Sequence, residues 1–164
     1  METLPTSSPQ PKEVVSAGAI LRLEQYLLSL PQADIHTFHS FLPGVYERKI
    51  VIPPWTVLTG ALHLVDCTIR LEAGFVAVTI ADEVKKLYAL HEFHAPAGSK
   101  RAIMTFEDPA IWVNVYDNPD DCTDIITLEN RLYEEGSEAL GENRNKLGND
   151  LAPKLVGVET WLDG

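Results

Sequence analysis

Four residues near the middle of the chain carry side chains that could do chemistry together: His63, Asp66, Cys67 and Arg101. Imidazole and carboxylate bind zinc, copper or iron, and thiolate is a strong ligand for zinc and copper(I). The spacing is poor for a shared ion. On one unbroken strand, His63 and Cys67 stand about 13 Å apart at ~3.3 Å per residue. A bend would be needed to join them, and it would bring in Asp66 as a third donor. Structural zinc takes four protein ligands and catalytic zinc three, while Arg101 would set a permanent positive charge beside the ion. No bound metal and no cofactor are therefore expected, with His63, Cys67 and Asp66 as the alternative ligand set. Cys67 reads as a small buried apolar residue, and His63 as a hydrogen-bonded histidine facing a pocket. Arg101 is either half of an ion pair with Glu72, Glu107 or Asp108, or an anchor for a carboxylate or sugar acid. The four residues together form the candidate ligand pocket, and no catalytic residue is assigned.

Other candidates fall away on spacing. His91 and His94, with Glu92 between them, lie an odd number apart, so a strand turns them to opposite sides. They read as a solvated edge. His36 and His39 flank Phe38 in what looks like a loop, which could close over the mouth of a barrel. Cys67 lacks a neighbouring base to activate it, and burial raises a thiol's pKa rather than lowering it. There is no phosphate-binding glycine loop and no dinucleotide fingerprint. The acidic runs DNPDDCTD (117–124) and YEEGSE (133–138) meet no calcium-loop spacing and read as surface and cap residues.

The elements that must position these residues come next. At 164 residues the chain is the size of one domain with extra arms. Its formal charge of −11 and pI near 4.8 argue against nucleic acid or an anionic membrane as partner. No apolar run is long enough to span a bilayer, and METLPTSSPQPKEVV lacks the pattern of a secretory signal. Two cysteines make no disulfide framework, so a reducing compartment is expected. Residues 1–13, rich in proline, serine and threonine, read as an N-terminal arm. From Val14 to Leu30 apolar residues recur at three- and four-residue steps, which predicts an amphipathic helix that packs on the sheet or meets a partner. Ser16 is a candidate cap, and Pro31 a stop.

Between Phe41 and Tyr116, turn residues recur about every ten positions, the rhythm of an all-β sandwich or barrel. His63, Val65, Cys67, Ile69 and Leu71 share one parity and predict a strand with Cys67 inward. FVAVTI (75–80) and AIWVNVY (110–116) are apolar on both faces, as strands of a covered sheet. Asp124 to Glu135 reads as a short helix capped by Thr123 or Asp124. The domain thus covers 14–135. Residues 136–164 form a C-terminal arm with five glycines and three asparagines, in which Leu155, Val156 and Trp161 would gain from burial against a neighbour.

The block from Trp55 to Thr105 is similar to the two cupin motifs, G-x5-H-x-H-x3-E-x6-G and G-x5-P-x-G-x2-H-x3-N. The first falls on Trp55, Ala61, His63, Cys67 and Gly74; the second on Leu90, Pro96, Gly98, Arg101 and Thr105. The turn residues are mostly kept. Of four ligand positions, only His63 and Cys67 can bind a metal. Across about residues 20–135, LPQADIHTFHSFLPGVYERKIVIPPWTVLTGALH and APAGSKRAIMTFEDPAIWVNVY also resemble small cupin-like proteins of tailed bacteriophages and prophages. That resemblance implies a cupin-type jelly-roll barrel with an N-terminal helix and a short C-terminal helix, and a phage setting. It implies no activity. The leading expectation is a non-catalytic structural or accessory protein of the virion or host cytoplasm, a homo-oligomer in contact with other virion proteins. The alternatives are a metal-dependent or small-ligand-binding cupin enzyme, and an inhibitor of a host defence factor.

Overall fold

The computed structural model describes residues 17–134 and the pair 146–147. The chain runs α1 (Ala17–Leu28), β1 (His36–Leu42), β2 (Val45–Ile52), β3 (Val57–Thr59), β4 (Cys67–Ala73) and β5 (Phe75–Ile80). It continues through β6 (Glu83–Tyr88), β7 (His91–Ala95), β8 (Ala102–Thr105), β9 (Ala110–Asp117), α2 (Ile125–Leu132) and β10 (Lys146–Leu147). The strands form two antiparallel sheets, ordered β1-β2-β9-β4-β7 and β10-β3-β8-β5-β6. Setting aside the outermost β1 and β10, the orders 2-9-4-7 and 3-8-5-6 are those of an eight-stranded jelly roll, two interlocked Greek keys. The expected fold class is the observed one, with both helices in place.

Alternation along the strands decides what fills the sandwich. Tyr46 and Ile52 of β2, Cys67, Ile69 and Leu71 of β4, Val76 and Val78 of β5, and Ile103 of β8 meet in one buried core. The opposite parity of the second sheet, Val57, Ala77, Ala102 and Met104, forms a separate cluster with Leu23 and Leu27 of α1. That is why FVAVTI is apolar on both faces: one faces the other sheet, the other lies beneath a helix. The helix expected to pack on the sheet does so. Its anchor is ionic as well as apolar. Glu24 Oε2 accepts from Lys100 Nζ at 2.7 Å and from Thr59 Oγ1 at 2.8 Å, and Lys100 also donates to the Gly60 carbonyl at 2.9 Å.

Two turn positions explain where the cupin pattern holds and where it departs. Gly74, at φ +90°, joins β4 to β5 so close to β9 that a Cβ would sit 2.5 Å from the Pro109 carbonyl oxygen. Only glycine fits there. Trp55 stands where the pattern has glycine and still takes φ 51°. Its N–H donates to the Phe106 carbonyl at 2.8 Å, and its ring meets Phe106 edge-on at 6.1 Å.

Several expectations are corrected. The strand expected from His63 starts only at Cys67, because residues 62–64 instead run beside 132–134: Leu64 N–H bonds the Leu132 carbonyl, and Glu134 N–H the Leu62 carbonyl. The expected loop around His36 and His39 is the edge strand β1. The second helix ends at Leu132 rather than Glu135. Within the expected C-terminal arm, Lys146–Leu147 returns to pair with β3. Ser16, the arm 1–13 and the Leu155, Val156 and Trp161 cluster lie outside the described residues.

Candidate functional site

A cavity of about 60 Å³ lies between the sheets, where the side chains of Arg48, His63, Arg101, Trp112, Asn114 and Tyr133 converge. Arg48 shares the inward parity of Tyr46 and Ile52 on β2, and Arg101, one residue before β8, shares that of Ile103. His63 arrives from a turn. Residues 60–63 lie against 98–101, with Gly60 N–H on the Arg101 carbonyl at 3.0 Å and His63 N–H on the Ser99 carbonyl at 3.0 Å. This pairing, together with the strip 132–134, holds His63 and Arg101 at one wall.

A chain of hydrogen bonds crosses the site. Trp112 Nε1–H can only donate, so Asn114 Oδ1, 3.0 Å away, accepts, and Asn114 Nδ2 donates to Tyr116 Oη at 3.0 Å. Tyr116 Oη also contacts Tyr133 Oη at 2.8 Å and His63 Nε2 at 2.9 Å. The Arg48 guanidinium stands over the Tyr133 ring, 5.4 Å from the centroid. One assignment gives both hydroxyl protons an acceptor: Tyr133 to Tyr116, and Tyr116 to His63 Nε2. It leaves the His63 proton on Nδ1.

The two arginines differ. Arg48 is buried, yet it is paired with Glu129 of α2 at 3.6 Å. Burial opposes its charge, and the tyrosine hydroxyls of Tyr133, Tyr46 and Tyr116 more than offset that, so its pKa is raised. Arg101 is 6% exposed and has no carboxylate partner among the described residues; the expected pairs with Glu72, Glu107 or Asp108 do not form. Among the described residues its Nε and Nη1 have no hydrogen-bond partner, and its guanidinium lies 5.7 Å from the Phe93 ring centroid. Burial lowers its pKa, with Cys67 and Tyr116 acting the other way. His63, 7% exposed, is also short of one partner, at Nδ1. Burial first, then Arg101, Arg48 and Lys100, push its pKa down to about 4, so the ring is neutral at pH 7.

The four sequence candidates therefore separate. His63 and Arg101 share the cavity. Cys67 is buried inward on β4, and burial pushes its thiol up to about 11. Asp66 does not line the cavity: its Oδ1 accepts from Ala97 N–H at 2.7 Å and its Oδ2 lies 3.7 Å from His94 Nε2, both side chains well exposed. His91 and His94 are exposed on the edge strand β7, and His39 Nδ1 lies 2.6 Å from Tyr46 Oη.

The cupin family implies a metal, and the residues here do not fit one. Among the described residues no three His, Cys, Asp or Glu side chains come together as a ligand group. His63 spends Nε2 on Tyr116, the Cys67 thiol is held protonated, and the Arg101 cation shares the cavity with His63. What the arrangement offers instead is donors without acceptors. Arg48, Trp112, Asn114, Tyr116 and Tyr133 were not singled out from sequence. The available signal was alternation: residues 112, 114 and 116 share one face of β9, so a polar Asn114 in an apolar strand had to point into the sandwich.

No family model and no curated protein matches the chain. Solved structures resemble it over little more than half its length. KdgF from Halomonas sp. matches 55% of this chain and 86% of its own, at 15% identity and a TM-score of 0.46. The Cupin_2 domain of an XRE-family transcriptional regulator from Enterobacter cloacae matches 53% and 99%, at 13% identity and 0.46. Oxalate decarboxylase matches 58% of this chain and only 28% of its own, at 14% identity and 0.47. An enzyme, a regulator's domain and, from Rhizobium leguminosarum, a protein of unknown function are thus among the likenesses, and no single activity comes with them. By the order of its own strands, the chain is a jelly roll.

Proposed function

We propose that this jelly roll works by binding: it takes up a small polar molecule between its sheets, without a metal and without chemistry of its own. One observation carries the reading. Three buried polar atoms at a single cavity, Arg101 Nε, Arg101 Nη1 and His63 Nδ1, have no hydrogen-bond partner among the described residues. An unpaired buried cation costs a fold several kcal/mol, and buried polar groups are otherwise nearly always satisfied. A bound molecule would supply what the described residues do not. Calorimetric titration with a library of small polar metabolites should find saturable one-to-one binding that Arg101→Met removes; a library without a single binder overturns the reading. Elemental analysis should find no stoichiometric zinc, iron, manganese or nickel. About one ion per chain, lost on His63→Ala, would instead support the enzyme using His63, Cys67 and Asp66.

A second reading, assembly, is favoured by β1. This edge strand, HTFHSFL, is exposed along almost its whole length, with Phe38 52% and Leu42 51% exposed. It carries no carboxylate, lysine or arginine in a chain of formal charge −11, so a second copy meets little repulsion there. On this reading the protein is a non-catalytic structural or accessory component of a phage particle, a homo-oligomer in contact with other virion proteins. Mass spectrometry of purified particles is the test; its absence from them would leave the protein to the host cytoplasm.

A further inference from the structure

Resting on the binding reading above, we propose that the molecule at this cavity is a short monocarboxylic acid, held as its anion by Arg101 with His63 Nδ1–H as the second donor. Four features narrow the chemistry to this class.

The first is direction. With Tyr116 donating to His63 Nε2, all three unpartnered atoms at the cavity are donors: two guanidinium nitrogens and one imidazole N–H. The ligand must accept from all of them, which excludes amines and favours oxyanions.

The second is charge. Arg48 is already balanced by Glu129 at 3.6 Å and His63 is neutral, so among the described residues one positive charge, that of Arg101, remains uncompensated. A single negative charge closes the site. A phosphate or sulfate dianion would leave an excess negative charge in a low-dielectric interior.

The third is size. A cavity of about 60 Å³ holds on the order of four water-sized groups. Acetate, propionate and pyruvate fall in that range, and a hexuronate does not.

The fourth is shape. The flat guanidinium takes a planar carboxylate by paired hydrogen bonds. Ile50, Ile69 and Ile103 complete the wall with apolar surface, which suits a short carbon tail.

The assignment makes an unusual demand on Arg101: it must help the loaded protein and burden the empty one. The test is thermal denaturation and calorimetry of the full chain with acetate, propionate and pyruvate, set against acetamide and inorganic phosphate. A monocarboxylate should raise the melting temperature saturably, while acetamide, the uncharged isostere of acetate, should not. Arg101→Met should abolish the shift, weaken binding at least about tenfold, and melt no lower than the parent when no acid is added. His63→Phe should weaken binding while leaving one-to-one stoichiometry. If acetamide or phosphate stabilises as well as the acids, the carboxylate assignment falls and the binding reading stands. If neither these probes nor the wider library binds, both fall. An Arg101→Met protein that keeps the acetate shift removes Arg101 as the anchor. If both Arg101→Met and Arg101→Gln fail to fold, the guanidinium has a structural partner and the proposal is wrong.

Discussion

His63 brings burial and three nearby cations to bear on one imidazole, and the sign of the outcome can be worked through. Its pKa in the folded protein, about 4, lies below the ordinary 6.5. The unfolded chain therefore takes up a proton first as the pH falls. The stability that His63 contributes is complete above about 6.5 and is lost as the pH drops toward 4, on the order of 3 kcal/mol. Urea melts of wild type and His63→Gln should converge by that amount between pH 7 and 4; a gap that stays constant refutes the assignment. Cys67→Ser should cost about 1–3 kcal/mol, since a hydroxyl there needs a new hydrogen bond. Its thiol, pushed up to about 11, should resist labelling at pH 8 while the half-buried Cys122 reacts. The inward face of Cys67 was legible because Ile69 and Leu71 share its parity. Arg48 and Tyr116 were not, because a reading by hydrophobic period counts apolar residues, and an inward arginine looks like an outward one.

Between elements, a buried polar joint of Glu24 with Lys100 and Thr59 ties α1 to the strands beneath it. Both charged side chains are over nine-tenths buried. Removing one partner leaves the other charge stranded, so Lys100→Ala should cost about 3–5 kcal/mol in urea denaturation, and a Glu24→Leu, Lys100→Met double variant should recover much of that. Equal losses for single and double variants would show that the two charges act separately. The helix itself was readable from its three- and four-residue period, and β5 from its unbroken apolar run. What joins them was not, since a glutamate at residue 24 and a lysine at residue 100 meet only once β3 has paired with β8 beneath the helix. The edge strand β1 was read as a loop for a plain reason: with both faces open it has no alternation to detect.

At the scale of the whole molecule, the open edge makes self-association testable. Phe38→Lys on β1 puts a charge on the exposed strand and should shift light-scattering mass toward the monomer without lowering the unfolding free energy by more than about 0.5 kcal/mol; an unchanged mass excludes this edge as the contact. The all-β class was legible from turn spacing and strand alternation, and the jelly roll from the resemblance to the cupin motifs. The cavity was not, because its walls come from stretches that sequence keeps far apart: β2, the turn at His63, β8 and β9. That same topology constrains how the protein is made. Residues 45–52 pair with 110–117, so β2 has its inner neighbour only after β9 has left the ribosome. Until then β2 and β4 both lack the strand that belongs between them, and His63 lacks both Tyr116 and Tyr133. Pairings this distant fold in milliseconds to seconds rather than microseconds. A nascent chain halted before Ala110 therefore carries two hydrophobic half-sheets with open inner edges, and that halted chain, rather than the finished protein, is the form that needs a chaperone.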